Sequence, residues 1–195
     1  MNQQLHFGMA LVLLVLCTGC EMSDSREKRI AASKYVDGLA ARLRANPNDA
    51  DAFQKLEQAA NSHYRFERSR AVGTLGDLGK MSLPALPTMQ KALLSLDPYV
   101  RDSAAFAIAE MGTDARPATP ELVTFLHRHY NEGGSRHVVR VLQEIGDPRP
   151  EVVEALQFAA RVDDSYAAEE AKAALEALLA GKERQRKGDA AGAPE

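Results

Sequence analysis

The chain has no tryptophan, and phenylalanine and tyrosine bring its aromatics to only 6% of 195 residues. Its two cysteines, Cys17 and Cys20, both fall within the first twenty residues. Everything after them therefore lacks a thiol for a disulfide, a cysteine-based zinc site or a nucleophile. No run of β-branched residues alternates with polar ones, so nothing marks a strand. Excess basic charge is missing too. A net charge of −3 and a pI near 6.0 supply no electrostatic footprint for nucleic acid, which is not expected as a partner. There is no G-x-S-x-G, no H-E-x-x-H and no P-loop, so no catalytic residue, cofactor or metal is assigned, and an enzyme is not expected. What remains is rich in alanine and leucine and long enough for one helical domain with a leader and a tail.

What the chain does have is punctuation. Residues 78–87, LGKMSLPALP, and 111–120, MGTDARPATP, each follow an apolar residue with a glycine and then two prolines. Gly79, Pro84 and Pro87 return as Gly112, Pro117 and Pro120, each 33 residues on. Upstream of each glycine lies an apolar stripe: Ala71, Leu75 and Leu78, then Ala104, Ile108 and Met111, then Val138, Leu142 and Ile145 before Gly146. Spacing i, i+4, i+7 places each set on one helix face. The glycine suits a left-handed cap, and the prolines suit the first turn of a new helix. Second helices recur as Met89, Leu93 and Leu96, then Leu122, Leu126 and His129, then Val152, Leu156 and Ala159. A closing helix carries Ala171, Leu175 and Leu178. Upstream, residues 27–45 and 49–64 read as two amphipathic helices broken at NPND. A helix pair repeating at this interval predicts an all-α solenoid of stacked antiparallel pairs, none able to bury its apolar face alone.

These units resemble HEAT repeats, of the short type found in phycobilisome-lyase-like proteins. The resemblance rests on the VRDSAA start at residues 100–105, the "LG" or "IG" helix ends and the proline-flanked second helix, and covers roughly residues 66–179. The leader resembles something else. FGMALVLLVL at residues 7–16 is short for a bilayer span, which needs roughly 20 apolar residues, and has the length of a signal-peptide core, an ordinary signal peptide or an uncleaved anchor being the alternatives to a lipoprotein leader. CTGC followed by polar EMSDSREKR is similar to a bacterial lipobox. It departs from that pattern in an n-region without Lys or Arg and in Cys17 where leucine is usual. That resemblance implies lipidation at Cys20, removal of the first 19 of 195 residues, and attachment to the periplasmic side of the inner or outer membrane. A C-x-x-C redox motif would need a βαβ context that is absent.

The expected organisation is a lipoprotein signal peptide at 1–19, a polar tether at 20–26, an N-terminal helical pair at 27–65, HEAT-like repeats with a capping helix at 66–180, and a disordered tail at 181–195. Asp77, Glu110 and Glu144 lie about 140° from the buried stripe and are expected to face water beside Arg70, Ser103 and His137. His127 and His129 diverge by about 200° and cannot chelate together; His137 could approach only across Gly133 and Gly134. In HEAT-like solenoids the second helices line the concave face, which implies partner-binding residues at Lys91, Leu94, Thr124, His127, Arg128, Glu154, Gln157 and Phe158, with Ser95 in the same rows. Arg128 and Phe158 belong to the residue types that anchor interfaces, though Phe158 also reads as core beneath the closing helix. The function this implies is a membrane-tethered scaffold, acting as a monomer, that holds another envelope protein. A bilin-lyase-like enzyme or its partner subunit, and a periplasmic peptide- or ligand-binding module, are the alternatives.

Overall fold

The computed structural model describes residues 26–162 and 166–191, with side chains as far as Lys182. Nine α-helices account for most of that chain: α1 (Arg26–Ala45), α2 (Ala50–Ala60), α3 (Arg65–Asp77), α4 (Leu86–Leu93), α5 (Pro98–Ala109), α6 (Thr119–His129), α7 (Ser135–Ile145), α8 (Pro150–Val162) and α9 (Tyr166–Ala191). No strand occurs among the described residues. Helices α1, α3, α5, α7 and α9 stand side by side in one layer, and α2, α4, α6 and α8 form a second. Each second-layer helix packs on the next helix of the first layer, so each unit completes its core with its neighbour. The fold is an α-solenoid. Among the described residues no helix is long and apolar enough to cross a membrane.

The stripes that precede the three glycines face inward. Ala71, Leu75, Ala104, Ile108, Val138 and Leu142 are wholly buried, and Leu78, Met111 and Ile145 nearly so. Gly79, Gly112 and Gly146 have φ of 55°, 55° and 60°, the left-handed geometry that the punctuation implies. Beyond the first two glycines the chain does not loop freely. It winds into 3₁₀ turns, Gly79–Ala85 and Gly112–Ala118, which hold Pro84 and Pro117. Ser82 locks the first by donating its hydroxyl toward the carbonyls of Leu75, at 2.5 Å, and Gly79, at 2.7 Å. Pro87, Pro120 and Pro98 then occupy first-turn positions of α4, α6 and α5, where a missing N–H costs nothing. The third connection is shorter. Asp147, buried, accepts from the Arg149 backbone N–H and Nε instead, and Pro150 opens α8.

Two expectations need correction. Leu96 does not extend the buried stripe of α4; that helix ends at Leu93, and Leu96 is fully exposed. The reason lies just downstream. Ser95 Oγ accepts from the Asp97 N–H, and Asp97 caps α5 by accepting from the Tyr99 N–H, so residues 95–97 are already committed to the next helix. The helix starting near Asp49 ends at Ala60 rather than Tyr64, because the Asn61 side chain donates back to the Glu57 carbonyl and Ser62 Oγ accepts from the Tyr64 N–H. Through Gly181 and Gly188 the backbone of α9 is helical as far as Ala191. Glu, Arg, Gln and Lys between the two glycines are strong helix formers, and they offset the cost of about 1 kcal/mol that each glycine imposes. Cys20, the leader and residues 192–195 lie outside the described residues.

Candidate interaction face

The second-layer helices present the residues expected to meet a partner. Lys91, Leu94, His127, Arg128, Glu154 and Gln157 are exposed, and Thr124 and Ser95 are half-buried. Thr124 turns its hydroxyl back onto the Pro120 carbonyl at 2.9 Å, so its donor is already satisfied. Phe158 exposes 37% of its surface while its ring packs on His127, centroids 5.3 Å apart, and edge-on to Tyr130 at 6.2 Å. The structure therefore brings His127 and Phe158 together as one aromatic step between α6 and α8. Lys91 and Leu94 lie further along, on and beside α4, with the wholly exposed Leu96 next to them.

That end of the face is concave. A cavity of about 320 Å³ opens between the end of α2, α3, α4 and the start of α5, lined by Asn61, Arg68, Thr88, Lys91, Leu94 and Leu96 among others. Arg68, Leu96 and the cavity itself escaped the sequence reading. Leu96 was masked by its helical spacing, and Arg68 looked like any charged residue at a helix start. The signal available was internal: Arg68 and Arg101 are 33 residues apart.

Arg101 is buried, and its environment explains why that is tolerated. Its Nε donates to Glu132 Oε2 at 2.6 Å, one terminal nitrogen donates to Glu132 Oε1, and the other donates to the Ser95 carbonyl. This bidentate fork, with a backbone acceptor for the remaining edge, satisfies a desolvated cation. Its guanidinium, with His129 3.1 Å away contributing less, holds the Glu132 carboxyl below the ordinary range. Arg68 makes the equivalent backbone bond, to Ser62, at 3.3 Å. At the corresponding place in the next unit, Ser135 donates its hydroxyl to the carbonyls of Tyr130 and, at 3.3 Å, His129. Each thus closes the preceding second-layer helix or its turn.

The acidic row behaves as helical geometry implies. Asp77, Glu110 and Glu144 are exposed, Glu110 pairs with Arg140 at 2.9 Å, and Lys80 joins Asp114 at 3.0 Å. Arg70 turns to Asp37 of α1, at 2.6 Å, instead of joining that row. The histidines are separated by their aromatic partners. His129 lies against Phe125, His127 against Phe158, and His137 edge-on to Phe106, where burial lowers its pKa. Gly134 has a negative φ and serves close packing: a methyl group there would come within 2.8 Å of Ala105 Cβ.

Two layers of antiparallel helices, joined by left-handed glycines and proline-led second helices, place the molecule among the helical-repeat proteins. Within that class, residues 86–178 match the family of HEAT repeats. No curated protein matches the chain. Among solved structures it is similar to a crystal structure of an engineered protein at 23% identity and TM-score 0.60, covering 83% of this chain and 76% of that one. A second engineered protein is similar at 17% identity and TM-score 0.50, covering 80% and 94% respectively. Both likenesses concern the fold.

Proposed function

We propose that this chain is a membrane-tethered interaction scaffold of the bacterial cell envelope, anchored through lipid on Cys20, with the second-layer face holding another envelope protein. One observation carries the reading. That face exposes Leu94 at 40%, Leu96 at 100% and Phe158 at 37%, next to Lys91 and Arg128, whereas the stripes between the layers are buried. Aromatic and arginine side chains at the centre of such a face are the residue types that carry binding energy. The HEAT-repeat match supports the same reading, since stacked repeats expose long continuous surfaces.

The test has two arms. Capture from native envelope by the full chain should fall when Arg128→Ala and Phe158→Ala are combined, with helicity retained. An unchanged set of captured proteins would remove this face from the reading. Separately, Cys20→Ala should lose the acyl mass and leave the membrane fraction; unchanged mass and location would remove the anchor.

A further inference from the structure

The first-layer helices run parallel, so their N-terminal turns share one edge of the array and their C-terminal turns the other. Arg65 of α3 lies over the Tyr99 ring of α5, 5.4 Å from its centroid, and Arg136 of α7 lies over the Tyr166 ring of α9 at 4.4 Å. The two edges differ in charge. Arg65, Arg101 and Arg136 stand in the first turns of α3, α5 and α7, while Asp77, Glu110 and Glu144 stand where those helices end. The helix dipole favours the reverse, because N–H groups gather positive charge at a helix start and carbonyls negative charge at its end. Helix stability therefore does not account for the pattern. α1 is the exception at its far end, with Arg42 and Arg44, and Arg42 is paired with Asp49 and Asp51.

Glu132 neutralises Arg101 and Glu170 pairs with Arg136, so the basic surface is concentrated at α1 and α3. Their first turns carry five basic residues, Arg26, Lys28, Arg29, Arg65 and Arg68, against two acids, Glu27 and Glu67, with Asp97 beside Arg68. Between α1, α3 and α5 opens a cavity of about 310 Å³, lined by Arg29, Arg65, Phe66, Ser69 and Tyr99, with no carboxylate among them. Tyr99 is 67% exposed. A tyrosine ring under a guanidinium joins an apolar body to polar tips, the combination that settles at the headgroup level of a bilayer. The chain also arrives here: α1 begins at Arg26, and Cys20 to Ser25 are only six residues (25 − 19), a reach of at most about 20 Å.

We propose that this basic edge rests on the anionic headgroups of the membrane, with the cavity between α1, α3 and α5 taking a lipid phosphate and Tyr99 at headgroup depth. This rests on the lipid-anchor reading and adds an orientation. The helices of the first layer stand N-terminus first on the bilayer, the acidic edge points away from it, and the second-layer face stands to the side, open to a partner. α9, which starts at the same edge and runs to Ala191, carries its far end away from the membrane.

The test places the acylated full-length chain in bilayers containing a small fraction of lipid spin-labelled at the headgroup. In phosphatidylglycerol bilayers the side-chain signals of Arg29, Arg65 and Tyr99 should broaden strongly, and the amides of Gly79 and Gly112, at the opposite edge, should not. In phosphatidylcholine bilayers that contrast should fade. Arg29→Gln combined with Arg65→Gln should lower the ratio of docked to undocked chain about thirtyfold, from roughly fivefold per basic residue near an anionic surface. Both positions are exposed, so helicity should be retained. Equal broadening of the two edges, a contrast indifferent to lipid charge, or no effect of the double substitution overturns the proposal. The anchor is read separately, by acyl mass at Cys20 and flotation with the bilayers. Flotation without the edge contrast leaves the anchor standing and removes the docking alone; a chain that is neither acylated nor floats removes both.

Discussion

Where α3 meets α5 in the first layer, Gly76 leaves so little room that a methyl group would come 2.5 Å from the Ala107 Cα. Where α4 meets α6 in the second layer, the bridge is a polar side chain: Gln90 donates to the Pro117 carbonyl at 3.1 Å and to Glu121 at 3.0 Å. One layer is held by near-backbone contact and buried aliphatics, the other by longer, wetter side chains with a cavity between its helices. The same repeat thus concentrates cohesion on one side and leaves the other more open. Dense packing forbids change; looser polar packing permits it.

The strongest way to break that contrast is in the shared core. Ile108→Ala should cost about 2–5 kcal/mol in chemical denaturation through lost burial and cavity formation. Glu110→Ala, two residues away but exposed and paired only with Arg140, should stay within about 0.5 kcal/mol. Equal losses would mean that the first layer does not hold the array together. A sharper probe uses two glycines three residues apart on α3. Gly76→Ala should destabilise by about 1–3 kcal/mol from overpacking against Ala107. Gly73→Ala, where a methyl group meets nothing within 4 Å, should instead stabilise by about 0.5–1 kcal/mol. The opposite signs are the observable.

Acid titration examines the fork at Arg101. Glu132 is held below the ordinary carboxylate range by Arg101, so its folded pKa lies under its unfolded one. The stability it adds is present above the unfolded pKa and is lost as pH falls through the lower folded value. Glu132→Gln should therefore flatten the acid limb of the stability curve and lower the plateau at neutral pH. A parallel acid limb would show that the pair contributes no linkage. The smallest effect belongs to the second layer: Leu96→Ser should shift the melting midpoint by no more than about 0.5 kcal/mol allows. A larger loss would place Leu96 in the core.

How much of this was legible in residues alone follows from what periodicity can see. It sees faces, so Leu75, Ile108 and Leu142 were placed correctly, and so were the left-handed glycines, whose backbone demand is local. It does not see where a face ends. Leu96 kept the helical spacing of Met89 and Leu93, but the Ser95 and Asp97 side chains had already turned the chain. The 3₁₀ turns were hidden for a related reason, since the hydroxyl of Ser82 reaches two carbonyls that no spacing rule connects. Arg101 and Arg68 read alike as charged helix starts. Their difference is set by a glutamate a whole unit away, and finding it requires the stacking as well as the pattern.

The bond that closes each second-layer helix or its turn also sets how firmly one unit grips the next. In a stack where units touch only their neighbours, stability is a sum of unit and junction contributions. The junction at Arg101 joins the turn before α5 to the turn before α7 through Glu132. The junction at Arg68 reaches back to Ser62, with only a 3.9 Å approach to Asp97 ahead of it. At the turns, then, one polar clasp is slacker than its neighbour. In the first layer the order is reversed, since α3 meets α5 at near-backbone contact through Gly76 and Ala107, so load or heat should loosen the turn at Arg68 before it parts those two helices.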